Sequence, residues 1–290
     1  DLHKEYRRAA SDVYKRQTPV FTRRPLFSFT TAVVAIGGIV GLSVLVWAHH
    51  MYVSGWAPSL GGPFMLTTEI ISIPTGLLFL VFIGTMWRGR IWTRLPMMAV
   101  YAMLWNFVIG GITGVYLSDI PVDAALHGTM FVTAHFHYTL MGVALTGTIG
   151  AIVYWFPKMT GRMFNERVGF WGFWIIQAGF NITFIGMFMV GFAGQPRRVF
   201  NYSDQFAMGN LVSSIGAYTI GVGTLIFLYA LIHSWRNGEV AAANPWGAKT
   251  LEWQVPTPVP LENFDVLPVV TSDPYGYGQA SRTSAESSMR

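Results

Sequence analysis

The apolar residues of this chain gather into six long runs, at roughly 27–47, 63–87, 96–117, 127–156, 169–193 and 206–234, separated by short polar connections. Each run is near or above the ~20 residues that a helix needs to cross a bilayer. The pattern predicts an all-α membrane protein with six transmembrane helices. Pro63, Pro96 and Pro157 stand at run ends, whereas Pro74 lies inside the second run. There it removes a backbone donor and is expected to kink the helix, with neighbouring helices covering the freed carbonyl. No internal repeat is visible.

Three regions follow. Residues 1–17 are hydrophilic, carry five Lys and Arg, and read as a disordered or unrelated N-terminal extension. Residues 18–236 form the six-helix membrane region. Residues 237–290 form a Pro/Gly/Ser-rich tail, including Val255-Pro-Thr-Pro-Val-Pro260, expected to be extended and surface-lying or disordered.

Composition agrees with the runs. The chain is 52% hydrophobic and 11% charged, which separates it from soluble globular proteins. With no cysteine, disulfides and thiolate metal sites are excluded, and metal chemistry falls to histidine and oxygen ligands. The net charge of +5 speaks for topology rather than for nucleic acid, because the basic residues lie between the apolar runs. For six spans, every one of the 19 Lys and Arg except Arg197 and Arg198 falls on one side, which the positive-inside rule assigns to the cytoplasm. Both chain ends are then cytoplasmic. Arg197 and Arg198, in the last loop of the opposite side, require a local anionic partner.

The candidate chemistry is carried by histidines. His135 and His137 sit in the fourth apolar run. On one helix, neighbours at i and i+2 lie about 200° apart, so the two imidazoles leave opposite faces and serve different partners. Buried ionisable groups in a membrane are functional candidates, the alternative being a hydrogen bond to a neighbouring helix. Neutral imidazole is a common axial ligand of heme iron. His49 and His50 follow the first span, where adjacent imidazoles in irregular backbone can converge on copper or zinc, or form a polar pair at the interface. Two ligands leave such a site incomplete.

Asp123 and His127 are read as the outer end of the helix that carries His135, with His127 about 12 Å along the axis from it and about 80° from each deeper histidine. Arg197 and Arg198, on the same side, suit the carboxylates of a heme, the alternative being lipid headgroups. Glu69 is the acidic residue well inside a span, either a proton-relay group or one that reaches the interface.

At this point the chain resembles a known family. Trp-Ala-His-His-Met51, Ile73-Pro-Thr-Gly76, Gly110-Gly-Ile-Thr-Gly114, His135-Phe-His-Tyr138 and Gln195-Pro-Arg-Arg198 occur in the order seen in subunit I of heme–copper terminal oxidases. Thr250-Leu-Glu-Trp253, followed by prolines and Asn263-Phe264, is similar to bacterial members. The likeness runs from about Thr18 to Asp265. It implies the C-terminal half of a twelve-helix bundle in the bacterial inner membrane. His49 and His50 would ligate copper, His135 the high-spin heme and His137 the low-spin heme. Arg197 and Arg198 would hold heme propionates, with Asp123 and His127 in the same polar layer. The implied reaction is reduction of dioxygen to water with coupled proton translocation. Subunits II and III are the implied partners, and cytochrome c or quinol the donor.

Three departures from the family pattern are visible. The chain has about half the family's length, so the third copper histidine, its tyrosine and the second low-spin heme ligand are expected outside it, and the chain alone is expected to be inactive. Gly128 follows His127 where the family often has Asp, which counts against magnesium. Leu78 stands where many members carry a proton-path lysine, while Thr75 and Thr113 of that path are in place. Rival readings are a quinol oxidase, a nitric oxide reductase relative using non-heme iron, and a non-catalytic membrane transporter or assembly protein.

Overall fold

The computed structural model of the chain describes residues 16–55, 57–262, 264 and 273–277. The expected N-terminal arm falls almost wholly outside them, as does part of the tail, including Asn263 and Asp265. Among the described residues the architecture is helical throughout: α1 (Thr18–Thr22), α2 (Phe29–Val46), α3 (Pro58–Ile70), α4 (Ser72–Met86), α5 (Leu95–Ser118), α6 (Ile120–Leu126), α7 (Met130–Thr139), α8 (Thr146–Thr160), α9 (Glu166–Phe192) and α10 (Ala207–Asn237). A 3-10 turn, Trp47–Met51, extends α2, and a π turn, Leu140–Leu145, joins α7 to α8. Six stretches are long and apolar enough to cross a membrane: Phe29–Met51, Ser59–Met86, Leu95–Ser118, Met130–Thr160, Glu166–Phe192 and Asp204–Asn237. The six expected spans are therefore present.

Proline explains the broken second span. Pro74 has no N–H to offer the carbonyl one turn back, and the chain turns at Ile71, between α3 and α4. The hydroxyl of Thr75 caps the break by donating to the Ile71 carbonyl at 2.7 Å. Pro63 and Pro157 correct the expectation that they mark run ends. Both lie inside helices, α3 and α8. Pro96 does stand in the first turn of α5, where a missing donor leaves no bond unmade.

The fourth run is not one helix from residue 127. Gly128 takes a positive φ of 74° and α7 starts only at Met130, its N-cap Thr129 accepting from the Phe131 N–H. Asp123 and His127 therefore belong to α6 and its C-terminal cap. The expected axial distance and angle from His127 to His135 do not apply, because the two residues are not on one helix.

Packing places α7 at the centre. It lies against α5 on one side and α9 on the other. The π turn after it leaves the Gly142 carbonyl for the Asn106 amide of α5 at 3.1 Å, and the same amide donates to Gln177 of α9 at 3.0 Å. A wider turn of this kind shifts the register of the helix beyond it, so that one span can serve two packing environments. α9 and α10 run antiparallel along a seam of glycines seven apart, Gly172, Gly179 and Gly186 facing Gly223, Gly216 and Gly209. A Cβ on Gly179 would stand 2.6 Å from the Ile220 backbone nitrogen. Small residues let membrane helices approach to backbone contact, where dispersion and not the hydrophobic effect holds them.

The described part of the tail runs along the surface but is anchored by a few buried side chains. Trp246 and Trp253 are buried in a core shared with Val20, Phe21 and Tyr154, and Val255 is buried as well. The buried ammonium of Lys158 holds it, donating to the carbonyls of Ala243 at 2.8 Å and Val255 at 2.6 Å and to the Thr257 hydroxyl at 2.9 Å. Trp246 Nε1 donates to the Tyr154 carbonyl at 2.8 Å. Irregular backbone is tolerated under a bundle only when its polar groups are paired in this way.

Candidate functional site

His49 and His50 lie on the 3-10 turn at the end of α2. Their Nε2 atoms are 3.0 Å apart. Two nitrogens each bound about 2.0–2.1 Å from one metal, at angles between square and tetrahedral, are separated by about 2.9–3.4 Å. The pair thus has the spacing of two ligands on one ion. His49 Nδ1 meets the Thr68 hydroxyl of α3 at 3.3 Å, while that hydroxyl donates to the Phe64 carbonyl at 2.6 Å. One hydroxyl has one proton. With it on Phe64, Thr68 accepts from His49 Nδ1–H, and Nε2 of His49 carries the free lone pair.

His135 follows the same logic on α7. Its Nδ1 meets the Thr113 hydroxyl of α5 at 3.0 Å, and Thr113 donates to the Ile109 carbonyl at 2.8 Å. The ring rests on Gly114, where a Cβ would come 2.9 Å from His135 Cε1. His137 Nδ1 lies 2.8 Å from the Thr133 carbonyl, one turn back on its own helix. A carbonyl only accepts, so His137 also carries its proton on Nδ1. The ring stacks on Phe184 of α9, centroids 4.4 Å apart and planes 18° apart. His135 faces α5 and His137 faces α9, as the i, i+2 spacing requires.

In His49, His135 and His137, therefore, the outer nitrogen is tied to the protein and the inner one is available. Metal-bound histidines are held in this manner, their second N–H on a carbonyl or side chain fixing tautomer and ring orientation. Among the described residues no group of three or more His, Asp and Glu converges as a metal site, so the histidine pair by itself offers an ion two ligands.

The polar layer beside the pair is built from α6 and the loop before α10. His127 Nδ1 donates to Asp123 Oδ2 at 2.9 Å. The Arg197 backbone N–H donates to the Gly128 carbonyl at 2.8 Å, and the Met130 N–H to the Gln195 carbonyl at 2.9 Å, which fixes this loop on the start of α7. Asp123, His127 and Arg197 lie within electrostatic reach of His50, as His135 does of His49. Burial pushes the Asp123 carboxyl above its ordinary range, opposed by the hydrogen bond from His127 and by the charges of His127 and His50. Arg198 takes a left-handed backbone with φ of 63°. Neither guanidinium forms an ion pair among the described residues, so their anionic partner does not come from there.

Glu69 is half-buried in the last turn of α3, next to the break at Ile71. Thr75 and Thr113 each place their hydroxyl proton on their own helix. The sequence alone assigns no role to Thr68, Tyr52, Gly114 and Phe184. Tyr52 lies one residue beyond the turn, and its phenol interacts with Thr68. A signal existed for Thr68, a hydroxyl beside Thr67 and Glu69 in an otherwise apolar run, but its partner 19 residues away is set by the fold.

A sequence model of the Cytochrome C and Quinol oxidase polypeptide I family matches residues 13–219. The chain belongs to that family. It is 41% identical over 260 residues to cytochrome c oxidase subunit 1 of Thermostichus vulcanus, covering 90% of this chain and 47% of that protein. The corresponding protein of Synechocystis sp. is 40% identical, with 90% and 47% covered. That of Corynebacterium diphtheriae is 42% identical, with 88% and 46% covered. The chain spans about half the length of the curated relatives it matches. A heme–copper terminal oxidase dimer solved by cryo-EM shares the fold, with a TM-score of 0.72 at 19% identity over 80% of this chain and 47% of that one. The chain is thus part of a multi-pass membrane protein of the oxidase class, a family whose members typically use hemes and copper and assemble with other oxidase subunits.

Proposed function

We propose that this chain carries the cofactor-holding half of subunit I of a terminal respiratory oxidase, which reduces dioxygen to water with electrons from cytochrome c and coupled proton translocation. The bacterial inner membrane is its proposed location, with both termini in the cytoplasm, and subunits II and III are its proposed partners. The names of the relatives favour cytochrome c over quinol as donor.

The residues present fit the groups that the family uses. His49 and His50 would hold copper, His135 the high-spin heme and His137 the low-spin heme. Bound, these groups supply the electron storage and dioxygen binding that no side chain of this chain provides. The protein's part is placement. α7 holds two imidazoles on opposite faces of one rigid rod, so that the two heme sites share a wall and have no flexible linker between them. Thr68, Thr113 and the Thr133 carbonyl keep the inner nitrogens unprotonated. Arg197 and Arg198, without an ion pair among the described residues, would neutralise propionates, with Asp123 and His127 ordering the same layer. Phe184 covers one face of His137 and limits access of water. Glu69 and Thr75, on either side of the broken span, are the proposed remnants of a proton route in which Leu78 replaces the usual lysine. No magnesium is proposed at His127, because Gly128 brings no carboxylate.

The observation that carries this reading is the opposite orientation of His135 and His137, each with Nδ1 tied and Nε2 free. The test is to make His135→Ala and His137→Ala in the full-length subunit and record reduced-minus-oxidised spectra. Each variant should lose a different heme band. Loss of the same band in both would overturn the assignment.

A further inference from the structure

We propose that the cleft between α5 and α9 binds one anionic phospholipid of the surrounding membrane. Arg94 and Arg167 hold its phosphate, Tyr101 and Trp174 donate to its ester carbonyls, and an acyl chain lies beside Trp105 and Ala178. This goes beyond the oxidase reading, which gives none of these residues a part, and does not rest on it.

The two helices are tied at two levels and leave a cleft beside these ties. At the arginine-rich end the Leu95 N–H donates to the Glu166 carboxylate at 3.1 Å, and deeper the Asn106 amide donates to Gln177 at 3.0 Å. The cleft has a volume of about 330 Å³ and is lined by Tyr101, Ala102 and Trp105 of α5 and by Trp174, Ala178 and Asn181 of α9. Trp105 is 61% exposed and Trp174 36%. Both helices are long and apolar enough to cross a membrane, so faces exposed at this depth meet acyl chains and the cleft opens sideways into the bilayer.

The chemistry of the lining selects the occupant. Its amides are spent inside the protein: Gln177 Nε2 donates to Thr146 at 3.1 Å, and Asn181 accepts from Tyr138 and donates to the Gln177 carbonyl, both at 2.9 Å. The Tyr101 hydroxyl and the Trp105 and Trp174 indoles are donors without a hydrogen-bond partner among the described residues. A donor facing hydrocarbon without an acceptor is costly, so the fitting occupant brings acceptor oxygens as well as apolar length. Arg167, Trp174 and Asn181 recur every seven residues, which keeps them on one face of α9. Arg167 is exposed and has no ion pair among the described residues, while Arg94 reaches Glu166 at 3.5 Å across the start of the two helices. With Glu166 these two arginines leave one positive charge, the complement of one phosphodiester. Tyr101 lies about 9 Å and Trp174 about 12 Å along the axis from the first residue of its helix, a step below the guanidiniums, where ester carbonyls succeed the phosphate.

The experiment uses the assembled complex with the full-length subunit, solubilised in a non-ionic detergent and titrated with phosphatidylglycerol or phosphatidylcholine. Native mass spectrometry counts the lipids bound to each complex. At low phosphatidylglycerol, wild type should hold one molecule more than Ala178→Phe, whose ring fills the cleft. Arg167→Gln should bind phosphatidylglycerol about 5-fold more weakly, the usual effect of one cation at a membrane surface, and phosphatidylcholine as wild type does. Arg236→Gln, the same change at an exposed arginine of α10, should bind both lipids as wild type does. Tyr101→Phe with Trp174→Phe keeps aromatic rings in the cleft, removes the donors and should weaken both lipids alike. Wild-type lipid binding in an Ala178→Phe complex that assembles overturns the proposal, as does a loss in Arg236→Gln equal to that in Arg167→Gln. If Ala178→Phe fails to assemble, wild-type binding in both Arg167→Gln and the Tyr101, Trp174 double variant overturns it instead. Loss of another subunit from Ala178→Phe, with its lipids kept, assigns the cleft to a protein helix and also overturns it.

Discussion

The imidazole of His135 occupies the space that a side chain on Gly114 would need. A Cβ there would come within 2.9 Å of His135 Cε1. The helix α5 therefore sets, through Gly114, how far the ring projects from α7. Gly114→Ala should push the ring outward. A shift near 1 Å at a reacting centre costs on the order of 10²-fold in rate. Oxygen consumption of the full-length enzyme should fall by that order, with a displaced high-spin heme band and an unchanged low-spin band. An unaltered high-spin spectrum would show that the ring has room elsewhere.

The glycine seam between α9 and α10 makes a second, structural prediction. Gly179→Ala sets a methyl 2.6 Å from the Ile220 backbone nitrogen, whereas a Cβ on Gly221, one residue on, meets nothing within 4 Å. Overpacking of this kind costs about 1–3 kcal/mol. Thermal unfolding in detergent should therefore separate the two variants, with Gly179→Ala destabilised. Gly221→Ala should be neutral or more stable, since alanine is favoured over glycine in a helix by up to about 1 kcal/mol.

Lys158→Met keeps the length and apolar stem of the side chain but removes the ammonium that holds Ala243, Val255 and Thr257. Leaving buried acceptors unpaired costs about 1–3 kcal/mol. The variant should lose stability by that order and expose the segment around Val255 to limited proteolysis, while the heme spectra stay as in wild type. Cleavage no faster than in wild type would assign the hold on the tail to Trp246 and Trp253 alone.

Asp123 predicts a pH effect. Burial raises its carboxyl above the ordinary 3.8 despite His127 and His50. A folded-state value above the unfolded one means that folding favours the protonated acid. That contribution is complete below about 3.8 and is lost as pH rises through the raised value. Asp123→Asn stays neutral at every pH and should flatten the acid side of the stability profile, measured by thermal unfolding in detergent. A wild-type slope retained in the variant would place the titrating group elsewhere.

How much was legible in the chain differs element by element. The six spans were readable because sustained apolarity is a property of each run alone, decided by transfer from water to hydrocarbon. The opposite faces of His135 and His137 were equally local, since a helix turns by a fixed angle per residue. The start of α7 was not: Gly128 and Thr129 divide the fourth run through backbone conformation, which hydropathy does not register, and with them Asp123 and His127 moved onto α6. The anchoring of the tail was hidden for a related reason. Proline and glycine reported irregular backbone correctly, but whether Trp246 and Trp253 are covered depends on Tyr154 and Lys158, about a hundred residues earlier.

The histidines, their spacing and the apolar rods that carry them were thus written along the chain. Which nitrogen of each imidazole is free, and what holds it so, was settled by packing. A hydroxyl can give its one proton to its own helix and its lone pair to a neighbour, and that neighbour is chosen by how α3, α5 and α7 lie against one another. Thr68 and Thr113 read as two more polar residues in apolar runs until the helices are assembled around them.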